Sequence, residues 1–179
     1  NCAELDCDFI VVEDTVKAIG EIASYYRRDS EMKTVAVTGS VGKTTTKEFV
    51  SAVLSRRFKN YKTEGNYNSV IGLPMSLFEI SDECDSAVLE MGMSGFGEIG
   101  SMSRAARPSV ALVTNIGTSH MEMLGSRENI CRAKMEILEG LANVGVVYKT
   151  KDVIVGRASL LLGSKVFVKV GNNVALNLH

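Results

Sequence analysis

Tryptophan is absent from this 179-residue sequence, and charge of one sign is lacking too, with 20 basic against 21 acidic residues and a formal net charge of -1. Nucleic-acid binding therefore draws no support from overall charge. No apolar run approaches the roughly 20 residues that a membrane-spanning helix needs. Neither an internal repeat nor a low-complexity tract is present, which excludes a repeat array and a biased linker. The four cysteines, Cys2, Cys7, Cys84 and Cys131, fall in no zinc-like spacing and read as free thiols of a reducing cytoplasm. The start, Asn1-Cys2-Ala3-Glu4, has no initiator methionine and no signal-peptide layout, so the expectation is a piece of a longer cytoplasmic polypeptide.

What is there is ordinary globular composition, 45% hydrophobic and 23% charged, in a length sufficient for one sizeable core. Eight methionines read as core filler. After the short apolar run Phe9-Ile10-Val11-Val12, Asp14 or Thr15 is placed to cap a helix from Val16 to about Arg27. Thr34-Val35-Ala36-Val37 is a β-rich run ending in a Gly-rich turn. From Lys43 to Phe58, the apolar residues Phe49, Val50, Val53 and Leu54 repeat with helical period. Ala87-Val88-Leu89 and Val110-Ala111-Leu112-Val113 are continuous apolar runs, as expected of strands buried on both faces. Helices are expected near Val70–Ile80, around Ile99–Ala106 up to Arg107-Pro108, and from Arg127 to Leu141 with Ser126 as N-cap. Beyond Gly145, Val146-Val147-Tyr148, Val153-Ile154-Val155 and Val166-Phe167-Val168 are short β-like runs. The fold class is α/β, an open, mostly parallel sheet with flanking helices.

The segment Thr38-Gly39-Ser40-Val41-Gly42-Lys43-Thr44-Thr45 stands between strand and helix, where a phosphate loop belongs. Backbone N–H groups of such a turn converge on an anion, and the following helix adds its positive end. Gly39 and Gly42 permit that approach, Lys43 is placed for the β- and γ-phosphates, and the Thr44 hydroxyl for Mg2+. Position 37 is valine where the usual spacing has glycine, so the loop is a compact variant, Gly-x-x-Gly-Lys-Thr-Thr. Glu90 follows the strand Ala87–Leu89, at the strand end where open α/β sheets bind ligands. It reads either as a hard oxygen ligand or as a solvated acid. His120, in the loop leaving Val110–Val113, is one of only two histidines and reads either as functional or as a surface residue. Lys134 falls within the apolar stripe Ile130, Ala133, Ile137, Leu138 and Leu141. There it is either paired, neutral or chemically altered, or it snorkels at the edge of the stripe.

These pieces, in this order, resemble the Mur ligase family, ATP-dependent enzymes of bacterial peptidoglycan precursor synthesis. The carrying segments are Thr38 through Glu48, then Gly65-Asn66-Tyr67-Asn68 with Ile71-Gly72-Leu73-Pro74, then Leu89-Glu90-Met91-Gly92 with Gly97-Glu98-Ile99. Arg107-Pro108, Thr114-Asn115, His120, Gly125-Ser126 and Ala133-Lys134-Met135-Glu136-Ile137 complete them. The match runs from about Phe9 to Leu141. The Glu-x-Gly segment ending in Gly-Glu-Ile points to the branch that joins D-alanyl-D-alanine to a UDP-muramoyl-tripeptide through an acyl phosphate.

The resemblance implies a P-loop NTPase-like central domain in which Gly39, Ser40, Val41, Gly42, Lys43, Thr44 and Thr45 bind ATP phosphates. It implies one Mg2+ on Thr44 and Glu90 and a second held by His120, beside a CO2-derived carbamate on Lys134. Lys43, Glu90, His120 and Lys134 are thereby the catalytic set. Asn66 and Asn68 are implied near ATP and the muramoyl-peptide, with Thr118 a weaker candidate. It also implies a monomer. Residues 1–30 are expected to be a linker strand and helix from an N-terminal domain, and 31–179 the central ATP-binding domain. The pattern fades after Leu141, so 144–179 carry no assigned function. Two other readings are a folate-extending ligase of the same superfamily and a non-catalytic ATP-binding module.

Overall fold

The structure, a computed structural model, describes residues 8–141 and the strand segments 146–148, 153–155, 166–170 and 174–178. Cys2 and Cys7 lie outside the described residues.

Helix α1 (Thr15–Tyr26) begins where Asp14, in extended backbone, accepts from the N–H groups of Val16 and Lys17, both at 2.9 Å. It packs against α3 (Gly72–Phe78) and α4 (Glu98–Ala106), with Ala23 wholly buried. Strand β1 (Lys33–Thr38) leads through the Gly-rich turn into α2 (Lys43–Leu54). Strands β2 (Asn60–Lys62), β3 (Ser86–Glu90), β4 (Val110–Val113) and β5 (Val146–Tyr148) join β1 in one parallel sheet ordered β2-β3-β1-β4-β5. All five positions of β3 are buried. Since successive side chains point to opposite faces, both faces of that strand are covered, as its continuous apolar run implied.

Between β4 and β5 come α5 (Met121–Leu124) and α6 (Arg127–Met135), the latter capped by Ser126, whose hydroxyl accepts from Asn129 N at 3.1 Å. Strands β6 (Val153–Val155), β7 (Val166–Val170) and β8 (Val174–Leu178) form a separate antiparallel sheet. The short runs after Gly145 are therefore strands, but only the first extends the parallel sheet.

Two of the expected helices depart from the sequence expectation. Helix α2 forms, yet the residues it turns inward are Lys47 and Ser51, while Phe49 and Val53 are 70% and 71% exposed. Polar partners explain the inversion: Lys47 Nζ donates to the Thr63 carbonyl at 2.7 Å, and Asn60 Nδ2 donates to Ser51 Oγ at 2.8 Å. The helix expected to reach Leu141 stops at Met135 and tightens into a 3-10 turn over Glu136–Leu138. There Ser103 Oγ donates to the Ile137 carbonyl and accepts from Gly140 N, drawing the segment onto α4. Helix α4 itself ends at Arg107 in the left-handed region (φ 47°), just before Pro108. Cys84 and Cys131 are free, and burial pushes the Cys131 thiol up to about 11. Among the described residues no helix is long and apolar enough to cross a membrane.

Candidate active site

Strand β1 lies in the middle of the sheet, so the turn after it is flanked by the ends of β3 and β4. Gly39 has φ 150°, and a Cβ there would lie 1.8 Å from Thr114 Oγ1, so no other residue fits. Gly42 caps α2 in the left-handed region at φ 80°. No side chain caps α2, which leaves its first-turn N–H groups aimed outward at the positive end of the helix. The N–H groups of Ser40 and Val41 are instead held by Asn115 Oδ1 at 3.1 and 3.0 Å. Thr114 Oγ1 donates to the Val41 carbonyl at 2.6 Å, and Gly117 N donates to Ser40 Oγ at 2.9 Å. The loop after β4 thus clamps the turn. Lys43 folds back on it, its Nζ donating to the Gly39 carbonyl at 3.1 Å. Thr44 and Thr45 are exposed at the start of α2.

Glu90 closes β3 and is only 3% exposed. Its Oε1 accepts from Asn68 Nδ2 at 2.9 Å, and its backbone N–H donates to Thr63 Oγ1 at 3.2 Å. Oε2 is buried without a hydrogen-bond donor. The loop bearing Asn68 is fixed to the strand end by Gly92 N, which donates to the Asn68 carbonyl at 2.7 Å. Asn66 is exposed and accepts, through its carbonyl, from Asn68 N.

Lys134 is 2% exposed on α6, so the snorkelling reading gives way to the buried one. Burial first, and the neighbouring Lys43 charge second, pull its ammonium down to about 8. His120 is exposed, with φ 66°, a backbone conformation uncommon outside glycine, and it caps α5. Lys43, Asn68, Glu98, His120 and Lys134 line one cleft of about 260 Å³. Glu90 is not among its lining residues but adjoins it through Asn68. Thr118 is exposed and does not line this cleft. A larger cleft of about 590 Å³ involves Lys33 and Asp85, at the amino ends of β1 and β3. Open parallel sheets bind ligands at the carboxyl ends, so the smaller cleft is the candidate.

The donor set tests whether Mg2+ fits. Among the described residues no three His, Cys, Asp or Glu side chains gather as a metal cluster. The donors in question are of another kind: a hydroxyl, one carboxylate, one imidazole and a modified lysine. The buried Glu90 oxygen without a donor is what a hard cation would complete, and the residues fit.

Three residues here escaped the sequence reading of roles: Lys47, Asn115 and Glu136. Asn115 stands directly after β4 beside Thr114, a position that could have flagged it. Lys47 gave no such signal, because it sits among threonines on a helix whose apolar residues lie elsewhere. Glu136 accepts from Gly97 N at 2.8 and 2.9 Å and from Gly100 N at 3.2 Å, which ties the α6 segment to the start of α4.

Residues 37–171 match the Mur ligase middle domain. A UDP-N-acetylmuramoyl-tripeptide–D-alanyl-D-alanine ligase of Bacillus subtilis (strain 168) is 48% identical over 143 residues, 80% of this chain and 31% of that protein. The crystal structure of MurF from Acinetobacter baumannii superposes with a TM-score of 0.75 at 32% identity, covering 99% of this chain and 46% of that one. MurF ligase from Thermotoga maritima in complex with ADP gives a TM-score of 0.72 at 27% identity, covering 97% of this chain and 47% of its own. The chain spans about a third of the length of the curated relative from Bacillus subtilis. A phosphate turn clamped by the loop after β4, a strand-end Glu90 and a buried Lys134 thus stand in a chain that belongs to the Mur ligase family.

Proposed function

We propose that this chain is the ATP-holding part of a ligase that joins D-alanyl-D-alanine to a UDP-N-acetylmuramoyl-tripeptide in bacterial peptidoglycan synthesis. One observation carries the reading: Lys43 of the phosphate turn, His120 and Lys134 share a cleft adjoining a buried carboxylate oxygen that lacks a donor. The terminal carboxylate of the tripeptide attacks the γ-phosphorus of ATP, giving an acyl phosphate and ADP. The amine of D-alanyl-D-alanine then attacks the acyl carbon, phosphate leaves, and the amine gives up a proton as the amide forms.

This chain's residues act by position and charge. The open N–H groups at the start of α2, from Gly42 through Thr45, receive phosphate oxygens, and Lys43 swings from the Gly39 carbonyl to the transferred group. Gly39, Ser40 and Val41 shape the turn while Asn115 holds it. Thr44 and Glu90 would hold one Mg2+, and His120 with a carbamate on Lys134 a second. When bound, these ions supply neutralising charge to the phosphoryl oxygens. Asn68 orients Glu90, and Asn66 keeps the Asn68 turn in shape. The proposal includes a bacterial cytoplasmic setting and a monomeric state.

A chimera tests it. This chain replaces the matching segment of the Bacillus subtilis relative, and phosphate release is followed with ATP, Mg2+ and both substrates. Release that requires both substrates is the expected result. A folded chimera that binds ADP yet releases no phosphate above background would sink the proposal.

A further inference from the structure

Among the described residues, Lys47 is the one buried cation beside the candidate cleft that the proposed reaction leaves without a task. It sits on α2 four residues after Lys43, is 2% exposed, and does not line the cleft. Its ammonium is committed to the Thr63 carbonyl at 2.7 Å, so it is not available as a phosphate ligand. It stands 3.9 Å from Glu90 Oε2 and 3.5 Å from Glu48 Oε1.

The two oxygens of Glu90 are held unequally. Oε1 takes a hydrogen bond from Asn68 Nδ2, whereas Oε2 is buried with no donor, and its one ion-pair partner among the described residues is the Lys47 ammonium at 3.9 Å, beyond hydrogen-bond reach. Thr63 links the pair a second time, since its carbonyl receives Lys47 while its Oγ1 receives the Glu90 backbone N–H. Helix α2, the end of β2 and the end of β3 are thereby locked at one point. Anchoring α2 to Thr63 needs only a donor. It does not need a full positive charge beside a carboxylate oxygen with no other partner, and burying such a charge is costly unless something nearby answers it.

Resting on the phosphate-site reading above, we infer that Lys47 is a positioning residue: it offsets and orients the Glu90 carboxylate so that Oε2 stays open for a divalent cation. It does not line the cleft, and its distance from Oε2 leaves the lone pairs of that oxygen unspent. Groups of this kind, one step removed from the ion, set ligand geometry and ion affinity.

The test uses the full 179-residue chain with Mn2+ as the probe, read by the loss of the free-ion paramagnetic resonance signal, and ADP binding read by calorimetry in EDTA. For Lys47→Met, the Mn2+ dissociation constant measured with ADP present rises roughly tenfold or more, while ADP binding in EDTA stays within about twofold. Lys47→Arg, which restores a charge on a longer arm, recovers most of the lost Mn2+ affinity. Lys47→Gln keeps a donor for Thr63 without the charge and carries the same comparison where Lys47→Met does not fold. An unchanged Mn2+ constant overturns the inference. So does an equal loss of ADP affinity in EDTA, which would mark Lys47 as a structural anchor. If the unsubstituted chain binds neither ADP nor Mn2+, the phosphate-site reading itself falls. If it binds both and the variants match it, only the role of Lys47 falls.

Discussion

An ammonium withdrawn from water on an apolar helix face costs stability as long as it keeps its proton. Lys134 is such a group, brought from the ordinary 10.5 to about 8 by burial and then by Lys43. Below about pH 8 folded and unfolded chains both carry the proton, and the full cost stands. Between about 8 and 10.5 only the unfolded chain holds it, so stability rises with pH across that window. The fall from 10.5 to about 8 corresponds to about 3 kcal/mol. In CO2-free buffer, Lys134→Met should therefore stabilise the chain by about 2–3 kcal/mol at pH 7 in urea unfolding. The gain should fade to nothing by about pH 10.5. A gain that does not change with pH would contradict the assignment. The same displacement leaves a neutral amine fraction near pH 8, which is the form that adds CO2. Lys134 was legible in the sequence because four-residue spacings from Ile130 and to Leu138 place it on the buried stripe. Lys47 was not, because its partners, Thr63 and Glu90, are brought to it only by the sheet.

Elements differ in how plainly the chain announces them. The run Thr34–Val37 before a Gly-rich turn, and Ser126 before an apolar stripe, gave β1, α2 and α6 their places. Strand β2 stayed hidden because Asn60, Tyr61 and Lys62 form a three-residue edge strand with no apolar run. The Gly-Glu-Ile segment, a family mark in the sequence, has a physical reason in the structure. Gly97 takes φ 82° and presents its N–H to Glu136, Glu98 accepts from Ser94 N at 3.0 Å and lines the cleft, and Ile99 is wholly buried. Glu136 thus places a carboxylate on the positive end of α4, two residues from Lys134. Glu136→Ala leaves the Gly97 and Gly100 N–H groups without that acceptor and should cost about 1–2 kcal/mol in urea unfolding. No measurable loss would mean that the Ser103 contacts to Ile137 and Gly140 hold the two segments together unaided.

For the molecule as a whole, the strand order β2-β3-β1-β4-β5 is what assembles the site. It sets β1 between β3 and β4, so that the turn leading to Lys43 lies between the strand ends that carry Glu90 and the Thr114–His120 loop, although long stretches of chain separate them. A ligand that binds only this assembled arrangement stabilises all of it. With ADP and Mg2+ at a hundredfold excess over the dissociation constant, unfolding should cost about 2.7 kcal/mol more than without them. Lys43→Ala should remove most of that increment, and because the one hydrogen bond of its Nζ among the described residues is to the Gly39 carbonyl, the ligand-free midpoint should move far less. An equal increment in both proteins would place the nucleotide elsewhere.

The clamp on the phosphate turn also sets a timetable for synthesis. Ser40 and Val41 are held by Asn115, 75 and 74 positions further on, and Ser40 also receives Gly117, 77 positions on. At about 5–20 residues per second, a growing chain waits roughly 4 to 15 s between making the turn and making its clamp. During that interval the glycine turn lacks the partners that hold it in the folded chain, which are made only after the fourth strand, in the loop behind it.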